Sequence, residues 1–137
     1  MINLKVTSGK MGELYLAIDG DDVGHRLEYL MLINERETIF EFSKIFQSAM
    51  NWLEIKLVED FDADIIFNGG DNLLACLSTE NLTSELMEEL RTEFAKKADS
   101  TISVGLGNSP RQAYFALKLA KTSGKNCIRH FQELANG

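Results

Sequence analysis

Apolar residues along this chain follow two spacings, one typical of strands and one typical of helices. Compact apolar runs, bounded by polar or glycine-containing segments, predict five strands. They are Glu13–Ile18, Ala63–Phe67, Leu73–Leu77, Thr101–Leu106 and Cys127–Phe131. Between these runs apolar residues recur at helical intervals, so the pattern predicts strands that alternate with helices.

The longest predicted helix has an apolar stripe with the i, i+3, i+4, i+7 spacing of a helix that packs on a core. The stripe consists of Phe42, Ile45, Phe46, Ala49, Met50, Leu53 and Leu57. A shorter helix begins near Val23. Thr83 is predicted to cap a third helix, and Ser109 followed by Pro110 predicts the start of a fourth, which ends near Gly124.

This order of elements predicts an α+β fold: a ferredoxin-like βαββαβ core with an additional helix and a C-terminal strand. We expect a single domain over residues 13–137, preceded by an N-terminal arm at residues 1–12. Many unrelated functions share this core, so function has to be argued from particular residues.

The segment Asn68–Asn72 separates the second and third apolar runs and predicts a hairpin turn, with positive φ at both of its glycines. In the ferredoxin-like topology the first and third strands are antiparallel neighbours. Asp71 is therefore expected beside Asp19, at the end of the first strand. Two neighbouring carboxylates repel each other unless a cation lies between them. Such a site, with few oxygen ligands and an open face, favours Mg²⁺ or Mn²⁺ with phosphates completing the coordination.

Neighbouring features fit a triphosphate. Asp22-Val23-Gly24 opens a helix, whose free backbone N–H groups and dipole favour an anion. Lys121 and Lys125 lie four residues apart around the end of the fourth helix, and their ammonium groups are candidates for contacts to the β- and γ-phosphates. The alternative, two solvated surface lysines, fits the spacing equally well.

Net charge and composition limit the kinds of partner that we expect for this protein. A formal net charge of −7 argues against wrapping a long nucleic acid, but a mononucleotide stays possible because a divalent metal supplies positive charge. The sequence shows no cleavable signal pattern and no apolar run approaching the ~20 residues of a membrane span. Cys76 and Cys127 lie in apolar runs and are expected to be buried, reduced thiols, so we expect a cytoplasmic protein.

Four motifs occur in a fixed order along the chain. They are Asp-Gly-Asp-Asp-Val-Gly at 19–24, Gly-Gly-Asp-Asn at 69–72, Ile-Ser-Val-Gly-Leu-Gly at 102–107 and Ala-Lys-Thr-Ser-Gly-Lys-Asn at 120–126. Together they resemble the palm domain shared by GGDEF diguanylate cyclases and CRISPR polymerase subunits. The chain contains little else, so over roughly residues 13–131 it most resembles the minimal CRISPR polymerase (mCpol) family.

The resemblance implies roles for the matching residues. Asp19, the backbone carbonyl of Gly20 and Asp71 would hold Mg²⁺ or Mn²⁺, with Asp19, Asp71 and Asn72 at the catalytic positions. Residues of the two turns and of the last motif would bind the nucleotide: Asp21, Asp22, Val23, Gly24, Gly69, Gly70, Lys121 and Lys125. The implied reaction is attack of a ribose hydroxyl on an α-phosphate at a two-metal site, with release of pyrophosphate.

The chain departs from the family pattern at two places. Asn72 stands where the CRISPR form usually has Asp and the cyclases have Glu, and its amide brings no charge to the metal. The positions that read guanine in diguanylate cyclases fall near Leu27 and Arg36. Because Leu27 lacks the polar atoms to read a guanine edge, we favour ATP over GTP.

The resulting hypothesis is a nucleotidyltransferase that makes a cyclic di- or oligoadenylate, acting as a homodimer because ring closure needs two nucleotides to exchange roles. The product would act through a separate effector in antiphage defence. Two alternatives stay open: a degenerate palm that binds nucleotide without turnover, with Asn72 as the lesion, and an interaction module with an acidic rim. The chain resembles a haloacid-dehalogenase phosphatase only in the segment around Asp19. An EF-hand calcium loop is excluded, because Val23 and Leu30 stand at positions where that loop requires oxygen ligands.

Overall fold

The computed structural model describes residues 12–135, which form five strands and five α-helices. In order, they are β1 (Glu13–Gly20), α1 (Val23–Leu32), α2 (Arg36–Phe61), β2 (Asp64–Asn68), β3 (Asn72–Ser78), α3 (Ser84–Ala98), β4 (Ile102–Gly107), α4 (Pro110–Thr122), β5 (Ile128–His130) and α5 (Phe131–Ala135). A 3₁₀ turn at Thr79–Asn81 follows β3. The predicted N-terminal arm, apart from Gly12, lies outside the described residues.

The strands form one mixed sheet in the order β2-β3-β1-β4-β5. β1 is antiparallel to both of its neighbours, β3 and β4, and β2 is antiparallel to β3. The short β5 adds in parallel to β4. This arrangement confirms the predicted α+β fold, with a ferredoxin-like core, an additional helix and a C-terminal strand.

The two faces of the sheet are covered by different helices. Ile102, Val104 and Leu106 alternate along β4 into the main core, which also includes buried side chains of α2 and α3. The intervening Gly105 and Gly107 lie against α4, whose backbone an added Cβ at either position would strike. Glycine therefore lets α4 approach the sheet closely, on the face opposite the main core.

The apolar stripe of α2 is buried as predicted, with one exception. Ile45 is 45% exposed, while the other six members are buried. At 100° per residue Ile45 lies on the edge of the stripe, so the prediction that it belongs to the core is wrong. The predicted caps are confirmed: Thr83 and Ser109 accept hydrogen bonds from the backbone N–H groups of Leu86 and Gln112, and Pro110 is the first residue of α4.

The C-terminal strand is shorter than predicted. β5 ends at His130, and Phe131 begins α5 instead of continuing the strand. The Glu133 carboxylate accepts hydrogen bonds from the His130 backbone N–H and from the Arg129 guanidinium, which stabilises this turn into a helix. Upstream, Gly124 adopts a positive φ of 121° two residues after α4 ends, consistent with the predicted stop.

Two smaller expectations concern the thiols and the membrane. Cys76 and Cys127 are free thiols, but both are only partly buried, so the prediction that they are buried is wrong. Within residues 12–135, no helix combines the length and the apolar character needed to span a bilayer.

Candidate active site

The end of β1 and the turn after β2 meet at one edge of the sheet. Asp19 is the register partner of Asn72 on β3, and the Gly20 backbone N–H donates a 2.8 Å hydrogen bond to the Asp71 carbonyl. The structure thus brings Asp19 next to the hairpin turn, as the topology predicts. Asp71 and Asn72 are both exposed, so the turn presents two polar side chains at this edge.

The hairpin turn differs in detail from the expectation. Only Gly70 has a positive φ, 96°, so the prediction of positive φ at both glycines is wrong. Asn68 explains the difference: its Oδ1 accepts a 3.0 Å hydrogen bond from Gly70 N–H and thereby shapes the turn. The Gly69 N–H donates to the Asn72 carbonyl at 2.8 Å. Both glycine N–H groups are used inside the turn, so nucleotide binding by Gly69 and Gly70 would require other contacts.

Lys121 reaches this edge of the sheet from the end of α4. Its Nζ donates to the Gly20 carbonyl at 2.8 Å and to Asp21 Oδ1 at 2.9 Å, and lies 3.0 Å from Asp19 Oδ2. Burial lowers the pKa of the Lys121 ammonium, but the hydrogen bonds and charges of Asp21 and Asp19 outweigh this, so its pKa lies above the usual range. Lys121 is therefore a fixed positive charge among the acidic residues.

The acidic residues around Lys121 carry more negative charge than its single ammonium group can neutralise. Burial raises the pKa of the Asp19 carboxyl; Lys121 opposes this increase, whereas the negative charges of Asp71 and Asp21 add to it. Asp19 thus has the charges of Asp71 and Asp21 nearby, and it shares the Lys121 ammonium with Asp21. The remaining negative charge at this edge favours the approach of a further cation.

Asp21 has its side chain turned into the protein. It is 7% exposed and accepts hydrogen bonds of 2.6 Å from both Thr101 Oγ1 and Ser103 Oγ. A third comes from the Asn126 backbone N–H, at 2.9 Å, beside the one from Lys121. Burial raises the pKa of Asp21, but these hydrogen bonds outweigh it and hold the pKa below its usual range. The Asp21 carboxylate thus ties Lys121 and the Asn126 loop to the end of β4, and its contact with nucleotide stays a prediction.

Sequence reasoning missed the residues that hold Asp21. Ser103 and Asn126 lie in two of the recognised motifs and Thr101 directly precedes one of them, yet none was singled out as a site residue. One signal was present: Ser103 is a polar residue within the apolar run of β4, and a fully buried hydroxyl needs a partner. The identity of that partner depends on how β1 and β4 pair, with Asp19 opposite Ser103.

The start of α1 lies directly after these acids. Asp22 occupies the N-cap position in the left-handed conformation, with φ 59°, and makes no side-chain cap hydrogen bond. Its carboxylate instead pairs with Lys125 Nζ. Gly24 is exposed, and an added Cβ there would meet nothing within 4 Å. Because the first turn of a helix has unsatisfied N–H groups, this end of α1 is suited to an anion.

The donor atoms at this edge fit a hard divalent cation. The Asp19 carboxylate and the Gly20 carbonyl already face one cation, the Lys121 ammonium, and Asp71 lies beside them. Across residues 12–135, no three His, Cys, Asp or Glu side chains are grouped closely enough to hold a metal by themselves. An Mg²⁺ ion bound here would therefore take its remaining ligands from phosphates and water.

A mixed sheet of this order, with acidic residues at the end of β1 and on the adjoining hairpin, defines the class of palm domains found in nucleotidyl cyclases and polymerases. The chain belongs to the mCpol family, the minimal CRISPR polymerase domain, whose sequence profile matches residues 15–131. Among curated proteins, none matches the chain in sequence.

Solved structures share this fold at low sequence identity. The GGDEF domain of DgcB from Caulobacter crescentus, in complex with c-di-GMP, superposes with a TM-score of 0.60 and 13% identity, covering 88% of this chain and 78% of that one. The Csm1–Csm4 cassette, in complexes with cA4 and with pppApA, gives a TM-score of 0.60 and 19% identity over 85% of this chain. This chain spans only 20% of that Csm chain, so the likeness is to one domain of it.

Proposed function

We propose that this protein is a divalent-metal-dependent nucleotidyltransferase that converts ATP into a cyclic di- or oligoadenylate with release of pyrophosphate. One observation carries the proposal: Asp19, the Gly20 carbonyl and Asp71 converge at the start of α1, beside the ammonium of Lys121. Hard oxygen donors, a helix N-terminus and a lysine are the groups that bind a metal–triphosphate complex.

Asp19, the Gly20 carbonyl and Asp71 are the residues that would hold Mg²⁺ or Mn²⁺. The metal would lower the pKa of the attacking hydroxyl and neutralise charge on the phosphates. Lys121 and the first turn of α1 would bind and orient the triphosphate. Asp21 keeps Lys121 in place through their 2.9 Å contact. In the reaction a ribose oxygen bonds to the α-phosphorus, the bond to the pyrophosphate oxygen breaks, and the hydroxyl proton passes to water.

Residues on α1 and α2 support ATP over GTP. Leu27, near a position that reads guanine in diguanylate cyclases, is partly buried and packs against the core. Arg36, near the second such position, is the first residue of α2 and is exposed. Leu27 offers no hydrogen-bonding atom to a guanine edge. The Csm1–Csm4 complexes with cA4 and pppApA add support from the same fold.

Ring closure supports a homodimer as the active form. Each nucleotide in a ring acts once as nucleophile and once as electrophile, and one palm offers one triphosphate site. Two protomers facing each other satisfy this requirement. We further propose that a separate effector binds the cyclic product, in antiphage defence.

The proposal is tested by incubating the purified protein with each NTP in turn, with Mg²⁺ or Mn²⁺, and resolving the products by mass. We expect a cyclic adenylate from ATP, with pyrophosphate formed in step. Linear products only, or turnover of GTP alone, would contradict the proposed product or substrate.

A second candidate function, nucleotide binding without turnover, is favoured by one observation. Asn72 is exposed opposite Asp19, where the related palms have an acid, so the third carboxylate of such a site is missing here. Binding of ATP by calorimetry, with no pyrophosphate released under any metal condition, would identify this degenerate palm.

The variant Asn72→Asp separates the two candidates. Because it adds a carboxylate opposite Asp19, we expect it to bind Mn²⁺–ATP at least several-fold more tightly than the wild type. An active wild type should then show a changed metal requirement, and a degenerate one should gain turnover. Calorimetry and pyrophosphate release measure both effects, with Asn51→Asp, at an exposed position of α2, as the matched change of charge. Equal metal affinity in Asn72→Asp and the wild type would contradict a metal role for this position.

The variant Gly24→Ala tests the anion site at α1. Its added methyl group enters open space, so the fold should be unharmed, and the helix gains up to about 1 kcal/mol from alanine. If triphosphate approaches the first turn of α1, the same methyl group should weaken ATP binding about tenfold. Thermal unfolding and calorimetry together measure this. Unchanged ATP binding by a stable Gly24→Ala protein would show that the triphosphate does not bind at the first turn of α1.

A further inference from the structure

An apolar groove runs along the sheet face that carries α4 and ends at the candidate site. Its floor includes Ala17 on β1 and Leu74 on β3, and its end includes Asp19 and Asn72. Its volume is about 320 Å³, at the lower end of the range for pockets that bind small ligands. The groove is therefore large enough to receive part of a substrate and is continuous with the reacting groups.

Two exposed aromatic side chains flank this floor. Tyr114, on α4, is 51% exposed, and Phe67, on the edge strand β2, is 47% exposed. Phe67 pairs with Leu74 in the β2–β3 register, so both side chains lie on the groove face. Aromatic rings of this kind are surfaces on which nucleobases stack. The groove thus offers stacking surfaces on both flanks of an apolar floor.

Charged side chains of α4 also lie between the groove and the candidate site. Tyr114, Lys118 and Lys121 follow at i, i+4 and i+7, on one face of the helix. Lys118 Nζ lies 5.4 Å from the centre of the Tyr114 ring, and Lys121 contacts Asp19. Seven residues of helix advance about 10 Å. Along α4, the Tyr114 ring is therefore followed by the ammonium groups of Lys118 and Lys121, in the direction of the candidate site.

We propose that this groove binds the base of the acceptor nucleotide, stacked on Phe67 and Tyr114 with its ribose directed to Asp19. The inference rests on the proposed nucleotidyltransferase function and adds to it a place for the base of the second nucleotide, whose own triphosphate the facing protomer would hold. The donor triphosphate lies at the start of α1 and the acceptor base lies on the α4 face of the sheet. The acceptor hydroxyl and the donor α-phosphate then meet at Asp19, where the O–P bond forms and pyrophosphate leaves, with the hydroxyl proton passing to water. An apolar floor suits an uncharged base, and a purine presents the larger stacking face.

Two ligands distinguish binding in the acceptor groove from binding at the donor site. AMP, which lacks the β- and γ-phosphates, reports on base binding by saturation-transfer NMR. Inorganic triphosphate with Mg²⁺ reports on the donor phosphate site by calorimetry. The test variants are Phe67→Ala and Tyr114→Ala. Their matched controls are Ile66→Ala and Phe40→Ala, at residues that are 50% and 62% exposed and do not line the groove.

We expect AMP binding to weaken about tenfold or more in each test variant and to stay unchanged in both controls, while triphosphate binding is unchanged in all four. Equal AMP binding by the wild type and the test variants overturns the groove proposal and leaves the proposed function standing. Equal loss in the controls also overturns it. A wild-type protein that binds neither triphosphate nor ATP would contradict the proposed function, and the groove proposal with it.

Discussion

Asp71→Asn should reduce pyrophosphate release from ATP by at least about 100-fold while the protein stays folded, because it removes a charged oxygen donor from the proposed metal site. Asp71 is exposed on the hairpin, and its tie to β1 runs through its backbone carbonyl, which the substitution keeps. Asp19→Asn should have an effect of the same size. The rate of pyrophosphate release at saturating Mg²⁺ and ATP, with circular dichroism as the check on folding, measures both.

Asp64→Asn is the matched control for this loss. Asp64 lies on the same hairpin, at the opposite end of β2 from the turn, and is exposed. The Asp64→Asn variant has the same change of net charge, but away from the proposed metal site. Its rate of pyrophosphate release should therefore equal that of the wild type. If Asp71→Asn kept wild-type activity, Asp71 would not be a metal ligand and the site would have to be built without the hairpin.

Asp21→Ala should lower the free energy of unfolding by about 3 kcal/mol or more, since it removes one partner of a buried charged network. The variant would leave the Thr101 and Ser103 hydroxyls and the Asn126 N–H without their acceptor. Urea denaturation measures the change. Asp22→Asn is the control next to it: asparagine tolerates the left-handed backbone of this position, so the variant removes only the surface ion pair with Lys125, which contributes about 0–1 kcal/mol.

The effect of Asp21→Ala should also depend on pH. The folded-state pKa of Asp21 is lowered, so its contribution is fully present above the usual aspartate range and is lost as the pH falls through the folded-state value. The difference in stability between the wild type and Asp21→Ala should therefore narrow below about pH 4. A difference that is small at neutral pH, or that widens in acid, would show that the carboxylate does not stabilise the fold.

The proximity of Asp19 and the hairpin turn was predictable because it depends only on the order of strands. Each lies at a strand end, and the topology makes those two strands neighbours. The inward orientation of Asp21 was not predictable in the same way. It depends on which face of β4 carries Ser103 and on the loop that brings Asn126 back to the sheet. Neither is visible in local periodicity.

Similar limits explain the smaller errors. The φ of Gly69 depends on the Asn68 side chain, which completes the turn from within. Phe131 has the apolar character of a strand residue, but a capping carboxylate two positions later starts a helix there. Phe67 and Tyr114 were not predicted as a pair because they lie on β2 and α4 and come together only across the folded sheet.

The close contact of α4 with Gly105 and Gly107 constrains how substrate choice can evolve in this protein. Moving α4 to widen the groove would disturb a backbone-to-backbone contact that tolerates no added atom. The opposite wall is β2, which has an irregular register between Ile65 and Phe67 and stands at the end of the strand order formed by residues 12–135. Diversification among such minimal palms should therefore concentrate on β2, and a library randomised there is the natural starting point for redesigning which base is joined.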